Sequence, residues 1–232
     1  MVTGTGTHVI YSAVFGNYDN IIAPKHIHDN TDYVLFTDCV DVESIPTPWK
    51  VVYVDWLDTI DIQYRNRRSA RHFKALPHVY MPQHDVSVWM DMTHDVIMNP
   101  HDIEDKFLSD SDIALFKHEL RNCVFAEGLA VIKYKMDHVQ RVTSQLDYYK
   151  AAKYPPGRGL WETPGVVRRN TDTIAKANNM WWEMMCRYSS RDQISLPYIL
   201  DKHCIKPHVL PGFAGKCSPT NNNIIRHVQH HK

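Results

Sequence analysis

The chain has 232 residues, 44% of them hydrophobic, and its 26 Lys and Arg residues are balanced by 26 Asp and Glu residues. That length buries a sizeable core in one domain, and the charge balance supplies no overall field to draw the protein to nucleic acid or an anionic membrane. No apolar run approaches the roughly 18 residues of a membrane span, and the start, MVTGTGTH, lacks both the basic and the apolar part of a signal peptide, so a soluble cytoplasmic protein is expected.

The stretch GTGT precedes the first strand instead of following one, so it is not a dinucleotide-binding fingerprint. HVIYSAVFG is an apolar run closed by Gly16, and DYVLFTD and WKVVYVDW are two more, each rich in Val, Tyr and Phe and each carrying Asp near its end. All three are expected as core strands of one sheet. NRRSARHFKALPHVYM has helical spacing, with Arg65, Arg68, Arg71 and Lys74 recurring every three residues. Several of them can point to one place, a fit for phosphate, or they can form a solvated basic face.

VSVWMDMTHDV, Val86 to Val96, opens as a strand and then breaks into Asp91, Thr93, His94 and Asp95. Acids at a strand end present oxygen ligands at the rim of a sheet, or they cap a turn or the helix of NPHDIEDKFL, where Pro100 and Asp102 mark a start. DIALFKH is a further strand, FAEGLAVIKYK and VTSQLDYYKAA are helical, YPPGRG is a loop and VVRRN a short strand. ANNMWWEMMCRYSSRDQISLPYILDKH reads as two helices, and residues 206–232 as an irregular segment rich in Pro, Gly and Asn. Strands alternating with helices predict an α/β fold with a mostly parallel central sheet flanked by helices. Five scattered cysteines without a CxxC pair read as reduced thiols, and HVQHHK as a tail.

The ordered series YSAVFGNYD, FTD, RNRRSARHFKALPH, VSVWMD, FKHELRNCVFAEG, QLDYY, LWET, VVRRN, WWEMM and SSRDQIS resembles a family formerly labelled a domain of unknown function. Its plant members include rhamnogalacturonan galacturonosyltransferases, and it also occurs in bacteria and viruses. The resemblance implies a single GT-A type glycosyltransferase domain over residues 1–205, with a nucleotide-binding half (1–100), an acceptor and catalytic half (101–205), and the segment 206–232 outside the match.

It further implies a nucleotide-sugar donor, a UDP-sugar being the expected form, with Ala13, Phe15, Gly16, Asp19 and Asp38 near base and ribose and Arg68 and Lys74 on the diphosphate. Without it, Gly16 and Asp19 read simply as a turn. Asp91 would open a DxD-like motif for Mn²⁺ or Mg²⁺, with Thr93 in place of the second Asp and Asp95, or a histidine of the C-terminal segment, as a substitute ligand. His118, Arg121, Glu127 and Trp182 would bind the acceptor, a glycan or a modified base, nucleic acid entering only as acceptor. MWWEMM at helical spacing is more often a core stretch. Asp192, or else Glu162, would be the general base, while Asp192 also reads as a helix cap. A metal-dependent hydrolase and a noncatalytic nucleotide-sugar-binding module are the rival expectations.

Overall fold

A computed structural model of the protein describes residues 7–56, 61–214 and 223–228, so Gly4, Gly6, Cys217, His230 and His231 lie outside the described residues. In chain order the elements are β1 (His8–Val14), β2 (Thr31–Thr37), β3 (Lys50–Tyr53), α1 (Arg65–Ala75), α2 (Pro77–Tyr80), β4 (Val86–Met90) and β5 (His94–Val96). There follow α3 (Pro100–Phe107), β6 (Ile113–Lys117), α4 (Val124–Lys133), α5 (Val139–Ala151), β7 (Trp161–Arg169), α6 (Asp172–Arg187), α7 (Asp192–Lys202), β8 (His208–Leu210) and β9 (Ile225–His227).

Local chemistry sets the boundaries. The expected helix over 66–81 is two helices, because Leu76 precedes Pro77 and a residue before proline is driven out of the helical region. Asn99 caps α3 by accepting from the His101 N–H at 2.9 Å, and Thr171 caps α6 through the Ile174 N–H.

Seven strands form one sheet in the order β3-β2-β1-β4-β7-β6-β8. Strand β7 runs antiparallel to β4 and β6, and every other pairing is parallel, as the alternation of strands and helices predicts. Strand β3, expected in the core, is an edge strand with exposed ends. The segment from 206, expected to be irregular, supplies β8 to the far edge of this sheet and β9 to a two-stranded antiparallel pair with β5. Three-residue strands carry too little periodicity to be visible in sequence.

Alternating side chains of the sheet feed two cores. Tyr11, Trp89, Leu115 and Val166 pack under α1 and α4 to α7, while Ile10, Val88, Ala114 and Val167 pack under α3, Ile224 and Ile225. Among the described residues no helix is long and apolar enough to cross a membrane, and Cys39, Cys123, Cys186 and Cys204 are free thiols.

Candidate active site

The chain steps outward from β1 to β2 to β3 and then returns to β4 on the other side of β1. Strand order therefore reverses between β1 and β4, and the carboxyl ends of strands at such a point form a crevice. A cleft of about 590 Å³ opens there. Ala13, Phe15 and Asp19 from β1 and its loop, Trp89, Asp91 and Thr93 from β4 and its turn, and Arg67 and Arg71 from α1 line one side. His118, Arg121, Glu127 and Tyr134 line the other, with Glu162 from β7, while Arg191 and Gln193 at the start of α7 complete the lining next to Ser190, whose Oγ is 3.4 Å from Arg67 Nη1.

The floor is ionic. Lys74 Nζ lies 2.5 Å from Asp192 Oδ2 and 3.6 Å from Asp91 Oδ1. Arg71 reaches the same two acids, with Nη1 3.4 Å from Asp91 Oδ1 and Nε 3.1 Å from Asp192 Oδ2, the latter without hydrogen-bond alignment. Thr163 donates to Asp192 Oδ2 at 2.9 Å, and the Trp89 indole N–H to Asp91 Oδ1 at 2.8 Å.

Burial works to raise the Asp192 carboxyl, but Arg71, Lys74 and Arg191 outweigh it and hold the group well below the usual carboxylate range. Asp91 is likewise lowered, against burial, by Lys74, Arg71 and His94. Burial and the Arg71 charge push the Lys74 ammonium down to about 8 despite its acidic partners. Arg67 is lowered by burial and by the positive charges of Arg191 and Arg71, whereas Arg71 is raised, against burial, by Asp192 and Asp91.

Opposite them, Arg121 Nε donates to Glu127 Oε2 at 2.6 Å and His118 Nε2 stands 3.8 Å from the same oxygen. His118 Nδ1 accepts the Leu120 and Arg121 backbone N–H groups, and burial lowers the imidazolium. These three expected acceptor residues do form one wall. Glu162 Oε2 accepts the Ala214 N–H at 2.7 Å, which ties the C-terminal segment to the cleft.

Several expectations need correction. Arg68 does not reach the cleft: it is buried against Asp61 at 2.8 Å and donates to the Met185 and Tyr188 carbonyls. Lys74 is 0% exposed and serves the floor instead of contacting a ligand. Asp192 is 1% exposed and engaged by two cations and Thr163, so it is a poor proton acceptor, and it is not the cap of α7 either, since that position is Arg191. Trp182 packs against His72, ring centroids 4.7 Å apart, and lies off the cleft. Gly16 and Asp38 also lie off its lining: the Gly16 N–H donates to both Asp38 oxygens, with φ +61°, and a Cβ there would meet Asn66 Nδ2 at 2.0 Å.

Asp95 is turned away from Asp91, accepting from the Lys25 N–H and from His26 Nδ1 at 2.6 Å. The expected trio of Asp91, Thr93 and Asp95 therefore does not assemble, because the chain turns after Asp91 and re-enters a strand at His94. Of the two described histidines of the C-terminal segment, His208 stands 3.0 Å from Asp110 and His227 packs edge-on to His94 at 5.3 Å. Among the described residues no group of three His, Cys, Asp or Glu side chains is placed to hold a metal ion.

Sequence reasoning passed over Arg67 and Arg191. The helical repeat of about 100° per residue contains the signal: steps of three from Arg65 drift half a turn by Lys74, whereas Arg67, Arg71 and Lys74, spaced four and seven, keep one face.

The family model described as TOD1/MUCI70, glycosyltransferase-like domain matches residues 2–230. A probable hexosyltransferase, MUCI70 of Arabidopsis thaliana, is 27% identical over 246 aligned residues, covering 94% of this chain and 41% of that protein. The chain thus spans about two fifths of the length of this curated relative. Among solved structures, the WbbM bifunctional glycosyltransferase in its apo form aligns with a TM-score of 0.52 at 15% identity, covering 91% of this chain and 40% of that one. Mouse xyloside xylosyltransferase 1, also apo, aligns with a TM-score of 0.48 at 11% identity over 89% of this chain and 85% of that one.

Proposed function

Because the chain belongs to the TOD1/MUCI70 glycosyltransferase-like domain family, we propose that it moves a sugar from a nucleotide-sugar donor, a UDP-sugar in the first instance, to a hydroxyl of a glycan. The observation that carries this reading is the pairing, in one switch-point cleft, of a guanidinium-lined wall on α1 and α7 with a carboxylate, Glu162, beside the His118, Arg121 and Glu127 wall. The first suits a diphosphate and the second an acceptor hydroxyl.

In this scheme the acceptor oxygen attacks the anomeric carbon, its proton passes to the Glu162 carboxylate, and the bond from that carbon to the phosphate oxygen breaks, releasing the nucleoside diphosphate. Arg121 holds Glu127 Oε2 at 2.6 Å, a charge pairing that makes this carboxylate a poor base. The cationic wall offsets charge that grows on the departing diphosphate.

A panel of nucleotide sugars incubated with and without oligosaccharide acceptors tests this. Release of nucleoside diphosphate that depends on acceptor, with a new glycan seen by mass spectrometry, is the expected result. Equal release without acceptor would make the protein a hydrolase, and no binding of any nucleotide sugar would remove the proposal.

A further inference from the structure

We propose that the cleft neutralises the donor's diphosphate with the guanidinium groups of Arg67, Arg71 and Arg191, and that donor binding needs no divalent cation. The identity of the anion rests on the transferase reading above; the anion site itself does not.

The acid that would anchor a metal is already engaged. Asp91 Oδ1 receives the Trp89 indole N–H at 2.8 Å and faces Arg71 at 3.4 Å and Lys74 at 3.6 Å. A cation brought to this carboxylate meets an ammonium and a guanidinium on its other oxygen, and like charges that close repel strongly in a partly dry site. Thr93 adds only a hydroxyl, and its Oγ1 is 3.0 Å from His94 Nδ1. Asp95, the substitute acid, lies on the far side of the turn with His26.

The wall facing the cleft has the opposite character. Arg67 spends Nη1 on the Met136 carbonyl and Ser190 Oγ, which fixes the guanidinium at the cleft edge. Arg191 donates Nη2 to Gln193 Oε1, while its buried Nε has no hydrogen-bond partner among the described residues. Arg71 is held by Asp91 and Asp192 from below. Three guanidiniums lining one cleft form a site for an anion with several oxygens, and the planar fork matches phosphate geometry. Beneath this wall Lys74 and Arg71 stand against Asp91 and Asp192, two cations to two acids.

Calorimetry of the whole protein with inorganic pyrophosphate and with UDP in EDTA, and with UDP in Mn²⁺, tests the proposal. Both anions are expected to bind in EDTA, with Mn²⁺ changing the UDP affinity by less than about tenfold, the equivalent of one charge-assisted hydrogen bond. Arg67→Gln and Arg191→Gln, checked for an unchanged melting temperature, are each expected to weaken both anions in EDTA by about 10- to 100-fold, while Arg67→Lys retains part of the affinity. UDP binding seen only with Mn²⁺, or folded Gln variants that bind like wild type, would overturn it. Anion binding in EDTA by a protein that transfers no sugar would refute the function proposed above while supporting the guanidinium site, so the two ideas fail separately.

Discussion

Lys74 Nζ and Asp192 Oδ2 meet at 2.5 Å, although 118 residues separate them, and both side chains are at most 1% exposed. This pair joins the last turn of α1 to the first residue of α7. It is surrounded by Arg71, Asp91 and Thr163, so it functions as the structural floor of the cleft.

Removing one partner of a buried pair leaves the other uncompensated, which costs about 3 to 5 kcal/mol. Asp192→Asn keeps the shape and a hydrogen-bond acceptor but loses the charge, so a loss near the lower end of that range is expected in urea unfolding. A variant as stable as wild type yet inactive would instead return Asp192 to the role of a catalytic base.

Acid should act through the same cluster. Asp192, Asp91 and Asp61 all have folded pKa values below their ordinary 3.8. A depressed carboxylate contributes stability that is fully present above its unfolded value and is lost as pH falls through the folded one. Unfolding free energy should therefore be flat in these groups above about pH 5 and drop below about pH 4, as the unfolded chain takes up protons first. Asp192→Asn should flatten that drop; an unchanged slope in the variant would contradict the linkage.

The strands at the centre of this fold were legible because their residues are apolar on both faces: β1, β2, β4 and β6 coincide with the runs around Val9, Val34, Val88 and Leu115. The rim of the cleft was legible in part. His118, Arg121 and Glu127 come together because a short connection from β6 to α4 leaves them little freedom. Asp192 was not legible as a floor residue, since its surroundings arrive from α1 and β7 and no local pattern announces that. Arg68 was misassigned through helical phase, and β7 was longer than VVRRN suggests because Pro164 and Gly165 interrupt its pattern.

Arg68 and Asp61 form a second buried pair, both side chains at most 5% exposed, set apart from the cleft lining. Arg68→Ala should lower stability by about 1 to 3 kcal/mol, since Asp61 keeps His138 at 3.1 Å and Arg141 at 3.8 Å while the Met185 and Tyr188 carbonyls each lose a donor. Nucleotide affinity of the folded fraction should stay at the wild-type value. Weakened UDP binding at full stability would show that Arg68 reaches the ligand after all.

Gly165 of β7 lies against Ile225 of β9. A Cβ there would lie 2.5 Å from Ile225 Cδ1, and Ile225 is fully buried, so it has no open space to yield into. Gly165→Ala should cost about 1 to 3 kcal/mol, the usual penalty of overpacking. Ile225→Val removes the clashing methyl, so the double variant should recover much of that loss. Additive losses in the cycle would mean that β9 does not rest on Gly165.

Glu162→Gln bears on the chemistry itself. The amide oxygen can still accept the Ala214 N–H that Glu162 Oε2 now accepts at 2.7 Å, so the C-terminal segment should stay in place and the melting temperature should barely move. If the carboxylate takes the acceptor proton, transfer should fall by roughly 10² to 10⁴ while nucleotide-sugar affinity stays near wild type, because the lost proton acceptor matters only in the transition state. A purely positional Glu162 predicts the reverse, since glutamine preserves the hydrogen bond and would preserve the rate. Equal losses of affinity and rate would place the group on the donor sugar instead of the acceptor. Product configuration by NMR, set beside the rate of the Gln variant, then separates direct displacement with inversion from a route in which the enzyme supplies no base to the acceptor.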